Sequence, residues 1–325
     1  MKLGQWALAA LSIVAATAVN AQPAPGTPEA LIAAAKQAAG LDHAGTFRRI
    51  CVAPANQYGA PQRPPNRSEP PPRESWYARP YRVFDNLYFI GTRIHSSWAL
   101  TTSEGIIVID SLFAYAVEPE MIEGLKALGL DPHDVRYMLI SHAHGDHDQG
   151  AATFQSRFGT KIVMGEADWA STLARTDYPG GVPKRDISVG KDGMKLKLGD
   201  TTVDVIATPG HTPGTLSYLF PVREDGRTLT VMYAGGTAFN FPPSAKAFEI
   251  YRDSMIRSAQ LARAAGATVL MSNHSEFGRA YDRARIAQLR RLPGEPHPYE
   301  TDVDTVVRYF EMSRDCAEAQ RLMLK

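Results

Sequence analysis

From about residue 81 onward the chain alternates short apolar runs with amphipathic stretches. Residues 83–90 and 97–102 alternate or run apolar, and Gly105-Ile-Ile-Val-Ile-Asp110 reads as a buried strand. Helical spacing follows at Met121, Ile122, Leu125 and Leu128. Residues 135–140 predict another strand, then come a helix near 150–158, a strand at 161–164 and a helix near 166–174. Tyr178-Pro-Gly-Gly181 marks a loop. The order then repeats: strands at 194–198, 203–207, 215–220 and 228–233, and a helix with Phe248, Tyr251, Met255, Ala259 and Ala262 at spacings of three and four. A strand at 268–271 delivers Asn273-His274, and a last helix carries Val303, Val306, Val307 and Phe310 on one face. Two similar halves of sheet and helix predict an α/β protein, a four-layer αββα sandwich.

The N-terminal eighty residues follow other rules. Met1-Lys2, an apolar run over residues 6–19 and the small-residue exit Val19-Asn20-Ala21 describe a secretory signal peptide, residues 1–21. The run falls short of the ~20 residues a spanning helix needs, which weighs against a membrane anchor. The expected mature protein is therefore periplasmic or secreted, with no membrane attachment once the signal is cleaved. Residues 22–80 form an N-terminal helix and an arm. Thr27-Pro28-Glu29 starts the helix, with threonine as cap and proline in the first turn, and it should end near Gly40. Residues 53–75, with Pro64-Pro65 and Pro70-Pro71-Pro72, can form neither a core helix nor a central strand, so an extended arm wrapping the domain is expected. Residues 81–325 make up the catalytic domain.

A net charge of +1 offers no electrostatic case for nucleic acid as a partner. Cys51 and Cys316 are the only cysteines. In an oxidising compartment they could pair, and two buried free thiols are the alternative. Neither lies beside a histidine or in a CxxC motif, which argues against a cysteine nucleophile.

The chemistry concentrates in histidines. Five of nine fall into three places, each following an expected strand: His142, His144 and His147 with Asp146, then Pro209-Gly-His211-Thr-Pro-Gly214, then His274. Histidines two apart on a loop leaving a strand can aim at a common point, and Asp146 and His147 at a neighbouring one. Imidazole and carboxylate are the ligands zinc takes in catalytic sites, which keep one position open. His43, His95, His133 and His297 lack such a context and stand outside this set, although His95 could lie near the pocket.

His142-x-His144-x-Asp146-His147, with Gly150 close behind, resembles the HxHxDH motif of the metallo-β-lactamase superfamily, and Thr208-Pro-Gly-His211-Thr-Pro-Gly214 resembles its second metal motif. The resemblance runs from about Tyr81 to Leu292. It implies two Zn2+ ions, one bound by His142, His144 and His211 and the other by Asp146, His147 and His274. A second set with histidine and no cysteine is most like subclass B3. The resemblance further implies a hydrolase that opens a cyclic amide, a β-lactam, by metal-hydroxide attack, with Asp146 also orienting the nucleophile. Asp110 is a candidate for fixing ligand orientation, or a strand-end turn carboxylate. Trp98 and the loop at 178–181 are candidate pocket walls or a lid.

Two departures from the family pattern matter. Glyoxalase II and lactonases carry a bridging aspartate where this chain has Gly236, in Ala234-Gly-Gly-Thr-Ala-Phe239. The serines with which B3 enzymes hold the antibiotic's carboxylate are missing there too, so Thr237 is the one hydroxyl left to bind substrate. A serine at Gly236 or Ala238 should then improve capture. A lactone or ester hydrolase on the same metal pair is the alternative, and a non-catalytic zinc-binding protein a third. In the enzyme readings the partner is a small-molecule substrate.

Overall fold

The computed structural model describes residues 23–52, 70–289, 292 and 294–324. The expected signal segment, and the arm as far as residue 69, lie outside the described residues. Seven strands stand side by side in chain order: β1 (Tyr81–Phe84), β2 (Leu87–Phe89), β3 (Trp98–Thr102), β4 (Gly105–Ile109), β5 (Val135–Leu139), β6 (Lys161–Gly165) and β7 (Ile187–Val189). The first four are antiparallel and β4 through β7 are parallel. Five more, β8 (Met194–Leu198), β9 (Thr201–Ala207), β10 (Leu216–Glu224), β11 (Arg227–Ala234) and β12 (Val269–Ser272), form a second sheet in the order β12-β11-β10-β9-β8.

Apolar residues on both faces of the central strands explain the layering. In β4, Ile107 and Ile109 join the core between the sheets, with Leu139, Val163, Tyr218, Val231 and Tyr233. Ile106 and Val108 point the other way, into a cluster with Met121, Leu125, Phe154 and Trp169 from the helices on that face. Met232 and Leu270 of the second sheet likewise face outward, meeting Tyr251, Met255, Val306 and Phe310 of the helices Ala245–Ala264 and Val303–Met323. Each such side chain, fully buried, contributes ~1.5–3 kcal/mol. The result is the expected four-layer αββα sandwich.

The N-terminal helix Pro28–Ala39 is capped as expected, the Thr27 hydroxyl accepting from Ala30 N at 3.2 Å. Its Ala35 and Ala39 enter the same cluster as Phe310. Cys51 and Cys316 are disulfide-bonded, which decides between the two readings and ties this segment to the last helix. The apolar run at 83–90 forms a hairpin of β1 and β2, because Asp85-Asn86 turns and Asn86 is held from both sides: its Oδ1 accepts from Arg223 N and its carbonyl from Thr101 N. β7 has no counterpart among the expected strands, since its three residues are too few to show a period.

A candidate two-metal centre

Every expected ligand lies where the chain leaves a strand or connects two, at one edge of the sandwich. His142, His144, Asp146 and His147 follow β5, His211 sits between β9 and β10, and His274 follows β12. His211 Nε2 lies 3.1 Å from His142 Nε2 and 3.2 Å from His144 Nδ1. In the second set, Asp146 Oδ2, His147 Nε2 and His274 Nε2 form a triangle with every edge 3.1 Å. His142, His147 and His211 are buried, while His144, Asp146 and His274 are half-buried and form the open side.

The outward-facing ring nitrogens explain why the donors point inward. His142 Nδ1 donates to Gly235 O at 2.9 Å, His211 Nδ1 to Ala238 O at 2.6 Å, and His147 Nδ1 to Asp110 Oδ2 at 3.1 Å. With the proton held on Nδ1, Nε2 of His142 and of His211 presents a lone pair to the first set, and Nε2 of His147 faces the second. Lone pairs this close repel one another, and a shared cation removes the repulsion. Zinc bonds of 2.0–2.1 Å in tetrahedral arrangement imply donor separations of about 3.3 Å, close to those observed. The donor chemistry and spacing therefore fit zinc.

Electrostatics agrees. Burial, reinforced by neighbouring imidazoles, lowers the pKa values of His142 and His211, the latter to about 3, so neither carries a proton to Nε2 near neutrality. Burial also disfavours charge on His147, but the Asp146 and Asp110 carboxylates outweigh it and push its pKa up to about 10. Burial opposes ionisation of Asp146 as well, and His147 and His274 hold its pKa well below the usual carboxylate range. A metal held by this set would take the place of the His147 proton on Nε2.

Two aspartates position the loops. Asp110 is fully buried at the end of β4 with φ 61°, a left-handed conformation that costs a non-glycine residue about 1–2 kcal/mol. The offset is an acceptor with four donors: Ser141 N at 2.7 Å, and Ser141 Oγ, Tyr233 Oη and His147 Nδ1 at 3.0–3.1 Å. Asp110 thus fixes the orientation of the His147 ring. Asp168, on the helix Glu166–Leu173, was not anticipated. Its Oδ2 accepts from Ala143 N and Thr212 Oγ1, and its Oδ1 from Gly214 N, so one carboxylate clamps two ligand loops together. Gly214 permits this approach, since a Cβ there would stand 2.7 Å from Asp168 N.

Other expectations meet different outcomes. Thr237 is buried, its hydroxyl 2.6 Å from Tyr309 Oη and its carbonyl accepting from Tyr251 Oη, so its hydroxyl is engaged in the helical layer rather than at the open side. Gly236 leaves no room for a side chain: a Cβ would lie 2.5 Å from His211 Cβ. The expected benefit of a serine there is overturned. Trp98 is buried between the sheets and is no pocket wall. Tyr178 is buried and donates to Asp148 at 2.6 Å, which anchors its loop rather than freeing it as a lid. His95, left outside the ligand set, stands 3.5 Å from Asp146 Oδ2. Beside it, Phe113 and Tyr115 stack at 5.5 Å and make an aromatic wall. Burial and the Asp146 charge push the Tyr115 pKa up to about 12.

Comparison with known proteins gives a consistent picture. Residues 90–225 match the family model described as the Metallo-beta-lactamase superfamily. Among solved structures, BJP-1, a subclass B3 metallo-β-lactamase of Bradyrhizobium japonicum, is similar with a TM-score of 0.62 and 26% identity, over 74% of this chain and 93% of that one. A hydroxyacylglutathione hydrolase of Mesorhizobium japonicum is 33% identical over 119 residues, which is 37% of this chain and 41% of that protein. An N-acyl homoserine lactonase of Bacillus thuringiensis is 28% identical over 128 residues, 38% of this chain and 48% of that protein. The chain thus spans less than half the length of these two relatives.

Proposed function

The chain belongs to the metallo-β-lactamase superfamily, and on that premise we propose that it is an exported hydrolase that opens a β-lactam ring with two zinc ions. The observation that carries the reading is the second donor set. His274 completes it at 3.1 Å from both His147 and Asp146, while Gly236, where related hydrolases bridge their metals with a carboxylate, contributes no side chain.

His142, His144 and His211 would hold one ion, and Asp146, His147 and His274 the other. Bound zinc supplies Lewis acidity and lowers the pKa of a coordinated water to about 7. Asp146 engages the ligand set through Oδ2, and its Oδ1 would orient the attacking water by accepting its proton in a hydrogen bond. Asp110 keeps the His147 proton on Nδ1. Phe113 and Tyr115 would pack against the apolar part of the substrate and exclude water from the open side. With Thr237 turned inward, capture of a substrate carboxylate lacks a charge-assisted hydrogen bond of ~1.5–3 kcal/mol, so KM should lie roughly ten- to a hundredfold above that of an enzyme possessing one.

The Cys51–Cys316 disulfide supports export, because such bonds persist in oxidising compartments. Among the described residues no helix is long and apolar enough to cross a membrane. Similarity to the N-acyl homoserine lactonase favours a second reading, hydrolysis of a lactone or other ester on the same metal pair. A substrate panel on the zinc-loaded protein separates the two, with penicillins, cephalosporins, carbapenems, lactones and thioesters, and with chelated enzyme as control. Turnover of β-lactams at high KM is expected. Inert β-lactams beside a rapidly cleaved lactone would replace the first reading with the second.

A further inference from the structure

We propose that His95 is a fourth protein ligand of the second metal site, which would then be built from His95, Asp146, His147 and His274. The inference rests on the two-metal reading and adds a residue to it. Among the described residues, the ligand atoms of His95, Asp146 and His274 all lie within 4.8 Å of one another. His95 Nε2 is 3.5 Å from Asp146 Oδ2, near the edge of about 3.3 Å expected between donors on a tetrahedral zinc.

The backbone places this imidazole deliberately. His95 and His274 pair in an isolated antiparallel bridge. Ser96 N donates to Asn273 O, and Ser275 N to Ile94 O, both at 2.8 Å. The two loops are therefore stitched together on either side of the two histidines, and the rings meet edge to face at 4.9 Å. Thr92 stiffens the His95 loop: its Oγ1 accepts from His95 N at 2.8 Å, and its N donates to His95 O at 2.8 Å. Phe113 closes the remaining flank, its ring 5.2 Å from that of His95, and the side chain is only 11% exposed. Such a ring has little freedom to swing away from Asp146.

Ligand number has a consequence for the chemistry. Four protein donors fill a tetrahedral zinc, as in sites that serve structure, whereas three leave a position open. His142, His144 and His211 are three. The open position needed for substrate thus belongs to the first site, and the second ion is held more firmly and serves to fix Asp146. The ligand loops leaving β2 and β12 become coupled through it.

The test is metal binding by the full chain, independent of turnover. Metal-free wild type, His95→Ala and His95→Gln are titrated with zinc against a competing chromophoric chelator, and with cobalt(II) followed by its visible absorption. Wild type should take up two ions. In both variants the first ion should bind as in wild type, while the second weakens by about tenfold or more and its cobalt bands lose the intensity of four-coordination. Glutamine can still donate to Asp146. Restoration of second-site affinity by His95→Gln would therefore reduce His95 to a hydrogen-bonding neighbour and overturn the proposal, as would unchanged affinity in His95→Ala. Wild type that binds only one ion would instead defeat the two-metal reading, and the proposal with it. Melting of the metal-free proteins shows that the variants fold.

Discussion

Replacing Asp110 by asparagine probes how a buried carboxylate controls a ligand it never shares with a metal. Oδ1 accepts from Ser141 N, and the asparagine oxygen can keep that bond. Oδ2 becomes an amide nitrogen facing three groups: Ser141 Oγ, Tyr233 Oη and His147 Nδ1. The two hydroxyls can rotate and accept. The imidazole can accept only by moving its proton to Nε2, the atom that faces Asp146 and His274. The wrong tautomer removes the lone pair that the proposed second ion would need. Loss of such an orienting partner typically costs ten- to a hundredfold in metal affinity, about 1.4–2.8 kcal/mol. The proposed first site, His142, His144 and His211, does not include His147, so its affinity should stay within the error of the titration. Weakening of the buried network should lower folding stability by about 1–3 kcal/mol. Zinc titration against a chelator reads the first effect and urea unfolding of the metal-free protein the second. Equal weakening of both sites, or none at either, would refute the tautomer argument.

Three further outcomes are expected. Gly236→Ser should weaken the first site and abolish hydrolysis rather than improve substrate capture, since its Cβ would displace His211; improved KM at full zinc occupancy would contradict this. Glu120 is buried with Ala78 N as a donor, and burial pushes its pKa up to about 8. Its stabilising contribution is complete below the unfolded value of 4.5 and is lost as pH rises towards 8, at no more than about 1.4 kcal/mol per unit. Glu120→Gln keeps the acceptor and should flatten the stability profile between pH 5 and 8, measured by urea unfolding. Replacing Cys51 and Cys316 together by serine opens a link across 265 residues of sequence and should cost ~2–4 kcal/mol, with the melting temperature of the wild type under reductant falling to that of the double variant.

The amino-acid sequence by itself determined the layers and five of the nine histidines' neighbourhoods, because both are local. A short, β-branched apolar run such as Gly105–Ile109 reads as a buried strand, and histidines and an aspartate within six residues of a strand end can aim at neighbouring points. Asp110 was legible as a candidate from its place at a strand end. Tertiary structure decided the rest. His95 meets Asp146 because its loop hydrogen-bonds to the His274 loop, far away in sequence. Asp168 reaches Thr212 across 44 residues, from a helix whose pattern records only which face is buried. The fate of Thr237 followed from Tyr309 on the last helix, 72 residues on. Periodicity reports how a residue sits relative to its own sheet or helix. Which polar atoms then meet depends on how separate loops end beside one another, and that is set by the packing of both sheets and their helices together.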